Sequence, residues 1–304
     1  MMKSYKTPLR YPGGKSRACT KMDPYFPDLR NYKEYREPFL GGGSVAIHIT
    51  KKYPHLDIWV NDFYRPLYNF WRVLQDDLEA GFPLYNNLLD LKSRHSDEDS
   101  ARSLFVKSKE VVNDYTESDL SRAAAFYIIN KCSFSGLTES SSFSRQASVS
   151  NFSMRGIEKL PGYSEIIKNW KITNWSYEGL LTDRKDVFSY LDPPYDIKDN
   201  LYGKKGSMHN GFNHDDFALD CDRHISHQLI SYNSSNLVRE RFEGWEVGEF
   251  DLTYTMRSVG DYMREQKERK ELLLFNYQVG PKIKIAFEGC YNFQKLKKEG
   301  LIDG

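Results

Sequence analysis

The chain has 304 residues, with 43 Lys and Arg against 42 Asp and Glu, a net charge of +1. With 39% hydrophobic and 14% aromatic residues, it is excluded from the disordered class and is long enough for one large domain or two modest ones. There is no apolar run near the roughly 20 residues that span a bilayer, no signal-peptide core at Met1–Lys6, and no CxxC pair among Cys19, Cys132, Cys221 and Cys290. The expectation is a cytoplasmic protein with no membrane segment, disulfide framework or metal site.

The balanced charge argues against a nucleic-acid partner, but it is not evenly spread. Residues 1–36 hold Lys3, Lys6, Arg10, Lys15, Arg17, Lys21, Arg30, Lys33 and Arg36 against Asp23, Asp28 and Glu34, a local charge of +6. Residues 255–270 repeat the excess with Arg257, Arg264, Lys267, Arg269 and Lys270 against Asp261, Glu265 and Glu268. The expectation is a molecule neutral in sum and basic on one face.

In chain order, residues 34–62 read as a β-α-β unit. A strand at Glu34–Pro38 meets the turn Gly41-Gly42-Gly43, and a helix follows with Ser44 as its N-cap. Asp57–Val60 is a second short strand, ending at Asn61-Asp62. Residues 65–130 are helical, because Leu67, Phe70, Trp71, Leu74 and Leu78 recur at spacings of three and four. The Ser-, Gly- and Phe-rich stretch 133–156 has loop or hairpin composition. Val187–Leu191 is an apolar strand, followed by a helix near 214–226 and a strand at 228–233. Two final strands, near 245–254 and 271–277, form an antiparallel pair. Strand-helix alternation at both ends of a helical middle predicts an open α/β sheet with an inserted domain.

Three constellations carry chemistry. In Glu37-Pro38-Phe39-Leu40-Gly41-Gly42-Gly43-Ser44, glycines between strand and helix let the backbone turn tightly and approach a ligand. A plain turn has the same composition. Asp62, at the carboxyl end of the next strand, is placed to accept both ribose hydroxyls of a nucleoside cofactor, or to cap the following helix. In Asp192-Pro193-Pro194-Tyr195, two prolines end the strand and make the turn rigid. The Asp192 carboxylate and Pro193 carbonyl then form a pair of acceptors for an exocyclic amine, and Tyr195 offers a stacking face. The third, Leu9-Arg10-Tyr11-Pro12-Gly13-Gly14-Lys15, is a basic turn whose Lys15 can neutralise an anionic group.

Together these stretches resemble the Dam-type DNA adenine-N6 methyltransferases. That family's pattern runs aromatic-x-Gly-Gly-Lys, Glu-Pro-Phe-x-Gly-x-Gly-Ser, Asn/Asp-Asp, a recognition insert, then Asp-Pro-Pro-Tyr, and all appear here in that order. Asn130-Lys131-Cys132-Ser133-Phe134-Ser135-Gly136-Leu137 is similar to its recognition hairpin lead-in. Leu229–Asn233 is similar to its later core strand, and Arg257-Ser258 with Lys270–Leu274 to its closing hairpin. The likeness covers about residues 7 to 280. Departures are Tyr11 where Trp is common, Ser135 where Asn is usual, and a Ser-rich 138–153 without the family's Tyr/Arg-Asn pair. They bear on the recognised sequence rather than on catalysis.

The resemblance implies a Rossmann-like methyltransferase sheet with an antiparallel C-terminal hairpin and an inserted helical/hairpin target-recognition domain. The implied division is 1–66 with 182–281 for catalysis, 67–181 for the insert, and 282–304 as a tail. S-adenosylmethionine is the implied cofactor, contacted by Tyr11, Lys15, Glu37, Phe39, Gly41, Gly43, Asp62 and Asp192. Asp192, Pro193, Pro194 and Tyr195 are the implied catalytic group, without a metal. Arg10, Asn130, Lys131, Ser135, Arg145 and Arg257 are the implied contacts to double-stranded DNA, with GATC the family's commonest target. The expected assembly is a monomer or weak dimer. An RNA or cytosine-N4 amino methyltransferase, and a catalytically silent DNA-binding relative, are the alternatives.

Overall fold

The computed structural model describes residues 6–11, 14–134, 141–195, 211–251 and 270–279. Ser135, Arg257, the basic stretch 255–269 and the tail 282–304 lie outside the described residues.

The described strands form one seven-stranded sheet. In chain order they are β1 Glu34–Glu37, β2 Asp57–Asn61, β3 Lys171–Thr173, β4 Val187–Leu191, β5 His227–Asn233, β6 Glu246–Asp251 and β7 Lys270–Phe275. Across the sheet the order is β3-β2-β1-β4-β5-β7-β6. Pairing is parallel from β3 to β5, and β7 runs antiparallel between β5 and β6. The expected Rossmann-like α/β class with an antiparallel C-terminal hairpin is therefore observed. The order reverses between β1 and β4, and the crevice at their carboxyl ends is where an open sheet binds ligands.

The described helices are α1 Cys19–Met22, α2 Ser44–Lys52, α3 Arg65–Asp76, α4 Pro83–Arg94, α5 Glu98–Val111, α6 Asp119–Cys132, α7 Arg145–Ser150, α8 Met154–Ile157, α9 Leu160–Ile167, α10 His214–Asp222 and α11 Asn236–Arg241. The spacing-three-and-four residues Leu67, Phe70, Trp71 and Leu74 of α3 are all buried. Phe70 stacks on Tyr127 of α6, with ring centres 5.9 Å apart. Helix α6 is buried along almost its whole length. The insert and the sheet thus share one hydrophobic core.

Two expectations are corrected. Helix α2 is capped by Gly43, at φ 67°, and Ser44 is its first helical residue. The stretch 133–156 is more helical than its composition suggests. One antiparallel bridge, Ser133 to Phe143, precedes α7 and α8. The reason is that Ser144 and Ser153 accept the free N–H groups of Ala147 and Gly156, each at 3.2 Å. Serine favours loops by bonding to nearby backbone, and the same bond starts a helix. Strand β3 pairs with β2, and α9 packs on α2 and α3.

Candidate active site

Three chain segments converge at the β1/β4 switch point. Strand β1 ends at Glu37, and the chain turns through Gly41 and Gly43 at φ 49° and 67°. These are left-handed conformations that favour glycine. A side chain on Gly41 would also meet the Tyr11 ring at 2.9 Å, and one on Gly43 would meet Trp71 at 2.7 Å. Tyr11 therefore lies directly against the bare turn.

Asp62 follows β2 and is buried. Its Oδ2 accepts from Gly41 N at 2.8 Å and its Oδ1 from Tyr64 N at 3.0 Å. Each oxygen accepts one backbone N–H and keeps a further lone pair. Burial pushes its pKa up to about 6, partly countered by these two N–H groups. The cap of α3 is Tyr64, so Asp62 ties the glycine turn to the chain ahead of that helix. Glu37 is fully enclosed and accepts the Tyr35 hydroxyl at 2.6 Å. Burial pushes its carboxyl well above the usual range.

Strand β4 is buried throughout and delivers Asp192–Tyr195 at its carboxyl end. Lys15 opens a helical turn at Lys15–Arg17 and is 2% exposed. Its Nζ donates to both Asp192 oxygens at 2.9 Å and to Tyr195 Oη at 2.7 Å. It also lies 3.2 Å from Glu271 Oε1. Ser231 of β5 donates to Asp192 Oδ1 at 2.8 Å. The Tyr195 hydroxyl donates to Glu271, and Tyr232 backs its ring at 6.2 Å between centres.

Tyr11, Lys15, Glu37, Phe39, Gly41, Asp62 and the whole of Asp192–Tyr195 line one cavity of about 840 Å³. Gly43 is outside that lining and serves the turn and the packing on Trp71. Tyr177 and Phe212, which carry no sequence signal, complete the wall and form an aromatic cluster with Phe39, ring centres 5.6–5.8 Å apart. Ser231 and Glu271 sit in strands whose apolar pattern marks them only as strand. A lone carboxylate opening the run Glu271–Phe275 was the available signal.

The family model described as D12 class N6 adenine-specific DNA methyltransferase matches residues 11–256. The chain belongs to that family. It is 24% identical over 288 residues to the type II methyltransferase M.MjaIII of Methanocaldococcus jannaschii, spanning 88% of this chain and 98% of that protein. It is 28% identical over 130 residues to the DNA N-6-adenine-methyltransferase of Escherichia phage P1, which is 43% of this chain and 15% of that protein. A weak structural likeness to the rRNA methyltransferase aviRa of Streptomyces viridochromogenes has a TM-score of 0.29 at 11% identity. It covers 85% of this chain and 84% of that one.

Within this adenine-specific methyltransferase, Arg10, Asn130, Lys131 and Arg145, the described residues among those expected on DNA, are not part of the cavity lining. The Asn130 side chain binds both the N–H and the C=O of Arg10. Arg10 N donates to Asn130 Oδ1 at 2.9 Å, and Asn130 Nδ2 donates to Arg10 O at 2.6 Å. The Arg10 guanidinium donates to the carbonyls of Ser133 at 2.7 Å and Phe134 at 3.0 Å. It ties the first motif to the end of α6. Lys131 lies over the Tyr127 ring at 5.2 Å. Its ammonium pKa is lowered to about 7, first by burial and then by Arg10 and Lys159. Arg145 is exposed and pairs with Glu98 at 2.8 Å.

The cavity wall is acidic, while the basic stretch 255–269 lies outside the described residues. The cavity wall carries Glu37, Asp62, Glu178, Asp192, Asp216 and Asp220 against Lys15 and Arg223. The +6 of residues 1–36 is dispersed by the fold. Lys15 and Arg36 are buried and ion-paired, and Lys33 precedes the amino end of β1, beside Asp186 ahead of β4. A linear charge count cannot distinguish the two ends of a strand.

Proposed function

We propose that this enzyme moves a methyl group from S-adenosylmethionine to the exocyclic amine of an adenine flipped out of duplex DNA. The observation that carries the reading is Asp192 and Tyr195, both held by buried Lys15, on the wall of the same cavity as Asp62 and the bare glycine turn.

The wall suits this cofactor. Its excess of carboxylates complements a ligand carrying a sulfonium and an ammonium. Asp62 keeps a lone pair on each oxygen for the ribose hydroxyls, and Gly41 lets a ligand approach the backbone. When bound, the cofactor supplies an electrophilic methyl group. The chain's own contribution is placement. Asp192 Oδ1 is filled by Lys15 and Ser231, which leaves a lone pair on Oδ2 for the amine N–H. The rigid Pro193 carbonyl is the second acceptor. The two acceptors aim the N6 lone pair, and Tyr195 supplies the stacking face. As the N–C bond forms, the surplus amine proton passes to Asp192 Oδ2 and from there to water.

Arg10 and Asn130 are proposed to brace the recognition lead-in, and Lys131 and Arg145 to contact DNA. Lys131 has Arg10 and Lys159 as its charged neighbours among the described residues, a setting suited to a phosphate. GATC is the first sequence to test. The decisive experiment is methylation-aware sequencing of DNA from cells that lack their own adenine methylation and express this chain. N6-methyladenine at one short sequence is expected. Modified cytosine, label in RNA, or cofactor binding without transfer would each replace the proposal by the matching alternative.

A further inference from the structure

Glu271 has an unusual setting. It opens the apolar run of β7, opposite Asn233 of β5 and Phe250 of β6. It is 2% exposed, and Leu272, Leu273, Leu274 and Phe275 after it are all buried. Burying a carboxylate is costly, and replacing a buried ion pair by apolar groups is often neutral or stabilising. Stability is therefore a poor reason for a carboxylate here. Two of its partners are Lys15 and the Tyr195 hydroxyl, and both belong to the methyl-transfer site.

We propose that Glu271 is a positioning residue for methyl transfer. From the antiparallel strand β7 it anchors the Tyr195 hydroxyl and the Lys15 ammonium, fixing the stacking ring and the Asp192 carboxylate before substrate arrives. Lys15 faces four oxygens here, two of Asp192 and one each of Tyr195 and Glu271. Tyr195 accepts from Lys15 and donates to Glu271, so its hydroxyl is held on both sides. A ring backed by Tyr232 and pinned at its hydroxyl has little freedom to turn. Glu271 carries no reacting atom and acts through these two side chains. Misplacement of a reacting group by about 1 Å can cost on the order of 100-fold in rate, so loss of the anchor should appear in kcat.

The inference rests on the proposed function, and the test separates the two. The full chain, Glu271→Gln, Tyr195→Phe and the double variant are compared by thermal melting, calorimetric binding of sinefungin, and kinetics on duplex DNA. Base stacking is followed with 2-aminopurine placed at the mapped target. Expected for Glu271→Gln are a retained cooperative melt and a sinefungin affinity within about threefold of the parent. Its kcat should fall by roughly 10- to 100-fold with altered 2-aminopurine emission, and the KM for DNA should change little. In the Tyr195→Phe background the same substitution should cost much less, because part of its path is already gone. A kcat within twofold of the parent, a rate loss matched by loss of sinefungin binding, or strict additivity in the double variant would each overturn the proposal. If Glu271→Gln does not fold, Tyr195→Phe alone decides, since it removes only the hydroxyl. Unchanged kcat and emission there would overturn the anchor. Absence of methyl transfer by the parent chain on any duplex would instead overturn the proposed function.

Discussion

Two regions of this molecule bury cationic side chains, and they treat them in opposite ways. At the sheet edge, Lys15 is surrounded by Asp192, Glu271 and the Tyr195 hydroxyl. Negative charge remains in excess along the cavity wall. At the lead-in to the insert, Arg10 is met by backbone carbonyls and Lys131 by an aromatic ring, with Arg10 and Lys159 adding repulsion. Lys15 is met by carboxylates, whereas Lys131 has no carboxylate partner among the described residues. The contrast separates a pocket suited to a cationic cofactor from a surface suited to phosphate.

The largest expected effect comes from removing the acceptor at the sheet edge. Asp192→Ala should cost at least about 100-fold in single-turnover methyl transfer, while the melt survives because Lys15 keeps Glu271 as partner. Near-parent turnover would remove Asp192 from the mechanism. Lys15→Met should next cost about 3–5 kcal/mol of stability, read by denaturant unfolding, because it strands two carboxylates that face it. If it costs nothing, Lys15 is not the counter-ion that the geometry indicates.

Asp62→Asn should weaken cofactor-analogue binding roughly 10- to 100-fold, the scale of one hydrogen bond to a charged group. The pH dependence follows from the same carboxylate. Its pKa in the folded protein is raised to about 6, so affinity should fall as pH drops through 6 and the acceptor is protonated. Stability of the ligand-free protein runs the other way. The folded state holds this proton more tightly than the unfolded chain, so the contribution of Asp62 is greatest below about pH 4 and is lost as pH rises through 6. Calorimetry and melting across pH 4.5–7.5 check both signs. The smallest effect belongs to the insert. Lys131→Gln should lower the salt slope of DNA binding by about 0.9 and leave sinefungin affinity unchanged. A changed cofactor affinity would blur the separation between the two regions.

Much of the fold was legible from local pattern. The glycine turn after β1, the Asp-Pro-Pro-Tyr stop after β4 and the spacing of Leu67, Phe70, Trp71 and Leu74 each depend on interactions within a few residues. The Ser-rich stretch before α7 and α8 was misjudged because the Ser-to-backbone bond that breaks a helix in its middle also starts one at its end. A charge sum along 1–36 is a poor guide to the surface, because it counts Lys15 and Arg36, which the core encloses and pairs.

The residue types and motif order alone determined the α/β class, the glycine turn after β1, the rigid Asp-Pro-Pro-Tyr corner after β4 and the family. These are short-range properties, set by φ restrictions, by periodicity and by which residue follows a strand. Only the tertiary structure decided that Lys15 meets Asp192, 177 residues away, and that Glu271 reaches both Lys15 and Tyr195. Those contacts exist because the sheet order sets β4 beside β1 and β5, and because β7 runs antiparallel next to β5. Strand pairing is a long-range choice, and no local pattern in the sequence encodes which buried charges it brings together.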